Sequence, residues 1–570
     1  KPPFRRNQFG ATAGGTIRQR TSLFGNYEGL RQSLGATHVD TVLSPTARQG
    51  QLSTGSIAVD PAVAPYLAFY PLPNGNILPP GDTGFFSFAG QQVTREDYFT
   101  TRADQKLAER DTLTGTYAFD KSQTSQPDEL DTKLTEVRTR RQVLTIHESH
   151  TFSPDRVNSF RLGINRSVAL IGLTPSAINP LASDSTLGTV PGRNAPQIVV
   201  LGLTNFGGGL GAVSSFQFHW TSLQAYDDFH VTRAKHSISL GFAFEHMRDN
   251  MLGDSDPSGI FTFHSIQDFL ANQPYSLLVA LPGSVSPRNL RQTIAGGYVQ
   301  DDVRWAKNLT VNLGVRYEFA SVPSEAHGKL SALRHLTDSQ PHLGNPYFSN
   351  PTLRNFQPRL GVAWNPLGNG KLAVRSGFGI FDVLPLLYEF ELLSQFAAPY
   401  FQLGSPTDLP AGSFPTQAFN LTSADPKTLR NIYLEPAPRR NYVMQWNLNL
   451  EFELSRKMTG LIAYVGSRGI HQPFRVDDAN IVLPQKTALG YLWPTSGTGQ
   501  KINPNVGRMD LLAWRGDSYY DALQLQLKNR LPYGMNTQVS YTFGKSIDTG
   551  SATIAGDQFE NSVSSLPWFD

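Results

Sequence analysis

The sequence has no cysteine. That excludes a disulfide framework and any thiolate metal site, and it suits export to an oxidising compartment where stray thiols are a hazard. No run of about 18 apolar residues occurs, which excludes a membrane-spanning helix. A dominant charge is missing too: 49 basic residues face 46 acidic ones, a net charge of +3. That balance argues against a nucleic-acid partner. There is no Gly-x-Ser-x-Gly elbow. The carboxylate pairs Asp227-Asp228 and Asp301-Asp302 are sequence neighbours within strand-like runs, so they point to opposite faces and form no local acid/base pair. No enzymatic chemistry is read from the chain. No initiator Met and no signal peptide stand at Lys1, so a mature or partial chain is expected.

What is present is alternation. Leu309, Val311, Leu313, Val315, Tyr317 and Phe319 are apolar, and Thr310, Asn312, Gly314, Arg316 and Glu318 between them are polar or small. A period of two marks a strand with one apolar and one wet face. The pattern recurs at Trp446 to Leu454, at Leu523 to Lys528 and at Ser237 to Phe244. Mean hydropathy is only −0.28. That is no objection to a membrane barrel, whose strands hide lipid-facing residues among polar ones. At 570 residues the chain is long for one ordinary soluble domain but not for one large barrel.

Eight tight turns punctuate the β-rich runs: Arg18 to Arg20, Ala108 to Arg110, Ser153 to Asp155, Arg233 to Lys235, Trp305 to Lys307, Pro366 to Gly370, Leu454 to Arg456 and Leu531 to Gly534. Between these hairpins lie long segments rich in Gly, Pro, Ser and Asn. They run from Gln32 to Gln92, Ala169 to Phe216, Asn250 to Leu290, Leu384 to Arg439 and Gly469 to Asp517. Short turns at one end and long loops at the other are the asymmetry of an outer-membrane barrel. The fold expected is all-β, an antiparallel transmembrane barrel with about 16 strands in this chain. A large soluble all-β protein is the alternative. Trp305 and Trp364 fall at strand ends beside short turns, where a membrane-interface girdle is expected.

Several stretches resemble the TonB-dependent transporters of the Oar-like group. They are RNQFGATAGGTI with FGNYEGLRQS, PYLAFYPLPNGN, YVQDDVRWAKNLTVNLGVRYEF, NFQPRLGVAWNPLGNGKLAVRSGFGIF, AYVGSRGIHQPF and YDALQLQLKNRLPYGMNTQVSYTFGKSID. The resemblance covers nearly the whole chain, in the expected order. It implies a barrel of 22 strands, an N-terminal plug and a small carboxypeptidase-regulatory-like domain. Residues 1–570 are then expected to be a partial barrel, without the plug or the small domain, ending inside a loop at Trp568-Phe569-Asp570. The resemblance also implies outer-membrane lipid as surroundings and the TonB complex as a partner, engaged through a region outside this chain. Its cargo would be a scarce or bulky nutrient such as an iron chelate, oligosaccharide, peptide or cobalamin-like compound.

Candidate sites follow from the alternation. Arg316, Glu318, Arg359, Arg375, Gln445, Asn447, Asn449, Glu451, Glu453, Gln524, Gln526 and Lys528 occupy wet-face positions and are expected to line a lumen. Tyr66, Phe69 and Tyr70 are expected in an external loop, as candidates for substrate contact. That loop, Pro- and Gly-rich, is expected outside rather than as a folded stopper. No cofactor or metal is expected. His147 and His150 lie three apart, on opposite strand faces, and His219, His230, His236 and His246 are scattered. Asp254 to Gly259 opens like a calcium loop, but Ser265 stands where its Glu is needed, so a turn is expected. Gly207 to Gly211 is expected to be a flexible loop, since no strand–helix unit surrounds it. The function expected is energised outer-membrane uptake; a passive porin and a surface adhesion or structural protein are the rivals.

Overall fold

The computed structural model describes residues 3–549 apart from 285, 423, 424, 477, 496 and 497. The terminus at Trp568-Phe569-Asp570 lies outside the described residues. Sixteen long strands run in one antiparallel sheet. They are β1 (Phe4–Arg18), β2 (Thr21–Leu43), β3 (Thr83–Ala108), β4 (Asp111–Pro127), β5 (Lys133–Ser153), β6 (Arg156–Ala177), β7 (Ser215–Arg233) and β8 (His236–Asp254). The remaining eight are β9 (Arg288–Ala306), β10 (Leu309–Ala320), β11 (Phe356–Trp364), β12 (Leu372–Asp382), β13 (Tyr442–Ser455), β14 (Met458–Val476), β15 (Met509–Arg530) and β16 (Asn536–Asp548). Each pairs with the next in sequence. All eight short turns stand where turn residues interrupt the alternation.

The register carries the apolar rows from strand to strand. Leu313 pairs with Asp301 on one side and Leu360 on the other, and Leu360 pairs with Phe378. Phe378 pairs with Trp446, Leu448 with Tyr464, and Tyr464 with Leu523. Directly opposed residues share a face, so a slip of one residue would mix apolar and polar rows throughout. Burial at the long-loop end shows which face is enclosed. On β8, Met247, Asp249 and Met251 are buried, whereas Arg248 and Asn250 between them are exposed. The buried parity is that of Ser239, Gly241 and Glu245, the polar face. The apolar rows therefore form the outside.

The strands reach further than alternation suggests. Pairing of β2 with β3 runs unbroken from Thr21–Gln105 to Leu43–Thr83, well into the span expected to be loop. Above the lipid a strand needs no apolar row, so its sequence carries no period-two signal. A long loop at residues 321–355, between β10 and β11, also escapes the composition scan.

The long loops are folded. Residues 197–200, 260–263, 276–280 and 403–404 make a four-stranded sheet of their own. Around it packs a core that includes Val63, Ile198, Phe206, Phe261, Phe263, Phe269 and Phe414. A second core joins loop residues Phe348, Phe390 and Leu393 to Met251, Leu290 and Trp514 of the wall. Loops thus pack on the enclosed face at that end. The glycine run is pinned rather than flexible: fully buried Lys133 donates from Nζ to the carbonyls of Gly207 and Gly208 at 3.0 and 2.6 Å, and to Asp128 Oδ2 at 3.0 Å. A Cβ on Gly209 would meet the Ala182 carbonyl at 2.5 Å. Asp254 to Gly259 forms a turn, closed by Gly259 N–H to the Asp256 carbonyl at 3.0 Å.

Candidate functional site

The enclosed polar face holds two hydrogen-bonded clusters. On β10 and β11, Arg316 Nη2 donates to Glu318 Oε1 at 2.6 Å, and Gln357 Nε2 donates to Glu318 Oε2 at 2.6 Å. Arg359 Nη2 then donates to Gln357 Oε1 at 3.2 Å, and its guanidinium lies 4.6 Å from the Phe381 ring centre. The chain forms because residues two apart on a strand share a face and because Arg316 is paired directly with Gln357. Gln357 was not singled out from sequence, although it stands two residues before Arg359 in the same alternation.

The second cluster lies towards the short-turn end of β12 to β16. Arg375 Nη1 meets Glu451 Oε2 at 2.6 Å. A cavity of about 850 Å³ is lined there by Arg375, Glu451, Glu453, Arg456, Lys528 and Arg530, among others. A smaller one, about 260 Å³, has Arg375, Asn449, Glu451, Gln526 and Lys528 in its wall. Two carboxylates among more numerous cations make this wall positive. Asn449 Nδ2 donates to Asn447 Oδ1 at 2.9 Å, and Gln526 Nε2 to Ser540 Oγ at 3.3 Å. Gln445 and Gln524 share the face by register but stand away from these cavities.

Two groupings were not found from sequence. Arg161 pairs with Asp228, which also accepts from Tyr298 Oη at 2.7 Å, on the polar face of β6, β7 and β9. Their signal was the alternation Ser159, Arg161, Gly163, Asn165. Asp111, Glu148 and His150 bring three ligating atoms within 4.8 Å of one another near the short turns, with His150 Nδ1 bonded to Asp111. These three could hold a metal ion. They come from two strands, so no spacing in one segment announces them. His147 points the other way, to Ser159 Oγ at 2.9 Å.

Tyr66, Phe69 and Tyr70 are each 1 % exposed. Phe69 stacks on Phe206 at 4.2 Å between ring centres and Tyr66 meets Phe414 edge-on at 4.6 Å. The expectation of substrate contact is corrected: the rings anchor the loop core, because burying them removes more apolar area from water than any exposed pose. Trp305 and Trp364 stand on the apolar face beside the short turns, 68 % and 45 % exposed. Within the loop at residues 383–441, burial pushes the Glu389 carboxyl up to about 8. Burial, and then the neighbouring Asp249 carboxylate, drive Glu391 in the same direction.

An antiparallel sheet with an apolar exterior, a polar enclosed face and alternating short and long connections defines an outer-membrane β-barrel. The family described as outer membrane beta barrel domain matches residues 1–566, and the chain belongs to it. The protein is therefore located in the outer membrane. No curated protein matches the sequence. Among solved structures, the outer membrane transporter YddB from Escherichia coli is similar in fold, with a TM-score of 0.54 at 10% identity over 96% of this chain and 55% of that one. The ferric enterobactin receptor PfeA (a mutant form) and the siderophore receptor PirA, both from Pseudomonas aeruginosa, give TM-scores of 0.46 and 0.42, each at 10% identity. They are covered over 62% and 67% of their length by 95% and 96% of this chain. The chain spans about half the length of YddB.

Proposed function

We propose that residues 1–570 are the barrel portion of a TonB-dependent outer-membrane transporter of the Oar-like kind, with its plug, its small regulatory-like domain and its TonB-contacting segment elsewhere in the full-length protein. The observation that carries this is the unclosed ladder. Among the described residues β1 pairs only with β2 and β16 only with β15. A sixteen-stranded porin, complete as it stands, would join β1 to β16, because lipid cannot satisfy an open edge. A larger barrel fills the gap with further strands. In it, the twelve wet-face residues line the lumen, Trp305 and Trp364 belong to the interface girdle, and the positive wall at Arg375 and Lys528 meets the plug or the passing solute. The cargo is a scarce or bulky nutrient. Supporting this, the loop cores roof the enclosed face, which suits capture from outside better than free diffusion.

The test is uptake by cells making the full-length protein, offered ferric chelates, oligosaccharides, peptides and a cobalamin. Accumulation of one class is expected to need both TonB and the proton gradient. Unchanged accumulation in cells without TonB overturns the proposal in favour of a passive pore.

A further inference from the structure

At the long-loop margin of the apolar exterior, basic residues stand directly opposite one another across strand pairs. Arg31 of β2 is paired with Arg95 of β3, Lys121 of β4 with Arg140 of β5, and Arg248 of β8 with Arg291 of β9. Arg166 of β6 fills the interval, joined to Arg248 through Thr221 of β7, which is paired with both. All are on the outside: Arg95, Lys121, Arg140, Arg166 and Arg248 are exposed. The next strand, β10, has Tyr317 and Phe319 on this face, so the row ends at β9.

Like charges directly opposed on one sheet face are destabilising. Three such pairs in one row need a compensating anion. Carboxylates of this chain supply little of it. Asp97 takes Arg31 at 2.7 Å, and Glu136 takes Arg138 beside the row. Height says where the anion comes from. From the short-turn ends of their strands the row's residues stand from about ten positions along (Arg31, Arg166) to about fifteen (Arg291). At about 3.3 Å per residue and a tilt of about 40°, that is roughly 25–38 Å, at and above the top of a barrel's apolar band of about 25 Å. The row lies where headgroups of the outward leaflet begin. Guanidinium groups match phosphate oxygens two at a time, and a phosphate can bridge two of them.

We propose that this row binds the phosphates of anionic lipid headgroups in the leaflet on the long-loop side, one phosphate across each opposed pair. Residues of the enclosed face take no part, so the site is independent of the transport function.

The test uses the folded chain, delipidated in detergent and given mixed micelles of phosphatidic acid and phosphatidylcholine in equal parts, with retained lipid identified by native mass spectrometry. Enrichment of phosphatidic acid by about tenfold is expected, since basic residues near a lipid surface attract anionic headgroups. The triple variant R95Q/R140Q/R248Q should fall to near parity, and K235Q/K307Q at the short turns should keep the full enrichment. If the triple variant does not fold, its all-lysine counterpart and the wild-type salt series decide: enrichment should survive in the former and fall steeply with added salt in the latter. No enrichment by the wild type, full enrichment in the folded glutamine variant, or enrichment insensitive to salt overturns the proposal. So does its removal by millimolar inorganic phosphate, which would mark a free-phosphate site.

Discussion

Single residues on this sheet are worth very different amounts according to their parity. Val311 pairs with Val303 and Val362, inside an apolar row, whereas Asn312 next to it donates to Asp302 Oδ1 at 2.6 Å on the enclosed face. Arginine at Val311 should cost roughly 2–4 kcal/mol, since a charge on the lipid face is desolvated, and Asn312→Arg far less. Denaturant unfolding of the two variants in bilayers measures the difference. Equal costs would mean that the assigned faces are wrong. The same parity puts the wet-face residues together on one face. It also explains the loss of Tyr66, Phe69 and Tyr70, which lie in a loop where no period applies.

At the scale of an element, the segment from Leu386 to Phe396 shows how a loop is held inside the barrel mouth. Phe390 and Leu393 pack against Trp514 and Met251, and that packing drags Glu389 and Glu391 out of water. For Glu389 the carboxyl stays protonated up to about 8, above its ordinary value of 4.5. Between those two values the docked loop holds a proton that the undocked loop has lost. Stability of docking is therefore greatest below about 4.5, declines as pH rises, and levels off above about 8. Hydrogen exchange of residues 386–396 should be faster at pH 8.5 than at pH 5, corrected for intrinsic rates. Glu389→Gln should flatten part of that dependence. An unchanged protection ratio across this range would show that the carboxyl is hydrated.

For the whole molecule, the two outer strands decide the size of the barrel. Both β1 and β16 are exposed along their entire length. Residues 1–570 carry no native cysteine to compete with an introduced pair. Thr12→Cys with Asn26→Cys should oxidise readily in the full-length protein, because these positions are paired across β1 and β2. Thr12→Cys combined in turn with Ser540→Cys or Thr542→Cys should not. A disulfide formed as efficiently across β1 and β16 as across β1 and β2 would close the sheet at sixteen strands and restore the porin.

Alternation and turn chemistry suffice to specify the strands that cross lipid, the eight short turns and the side to which each strand residue points. Lipid on one face and water on the other impose a strict period of two, and tight turns demand Gly, Pro or charged residues at fixed places. Tertiary structure alone decided the rest. The strand extensions above the membrane are wetted or packed on both faces and carry no period. The loop cores join residues far apart in sequence, such as Phe206 with Phe69 and Phe390 with Trp514. The Asp111, Glu148 and His150 grouping and the opposed basic pairs exist only through register. Alternation tells which face a residue takes; the register of each strand against its neighbours tells which residue it meets there.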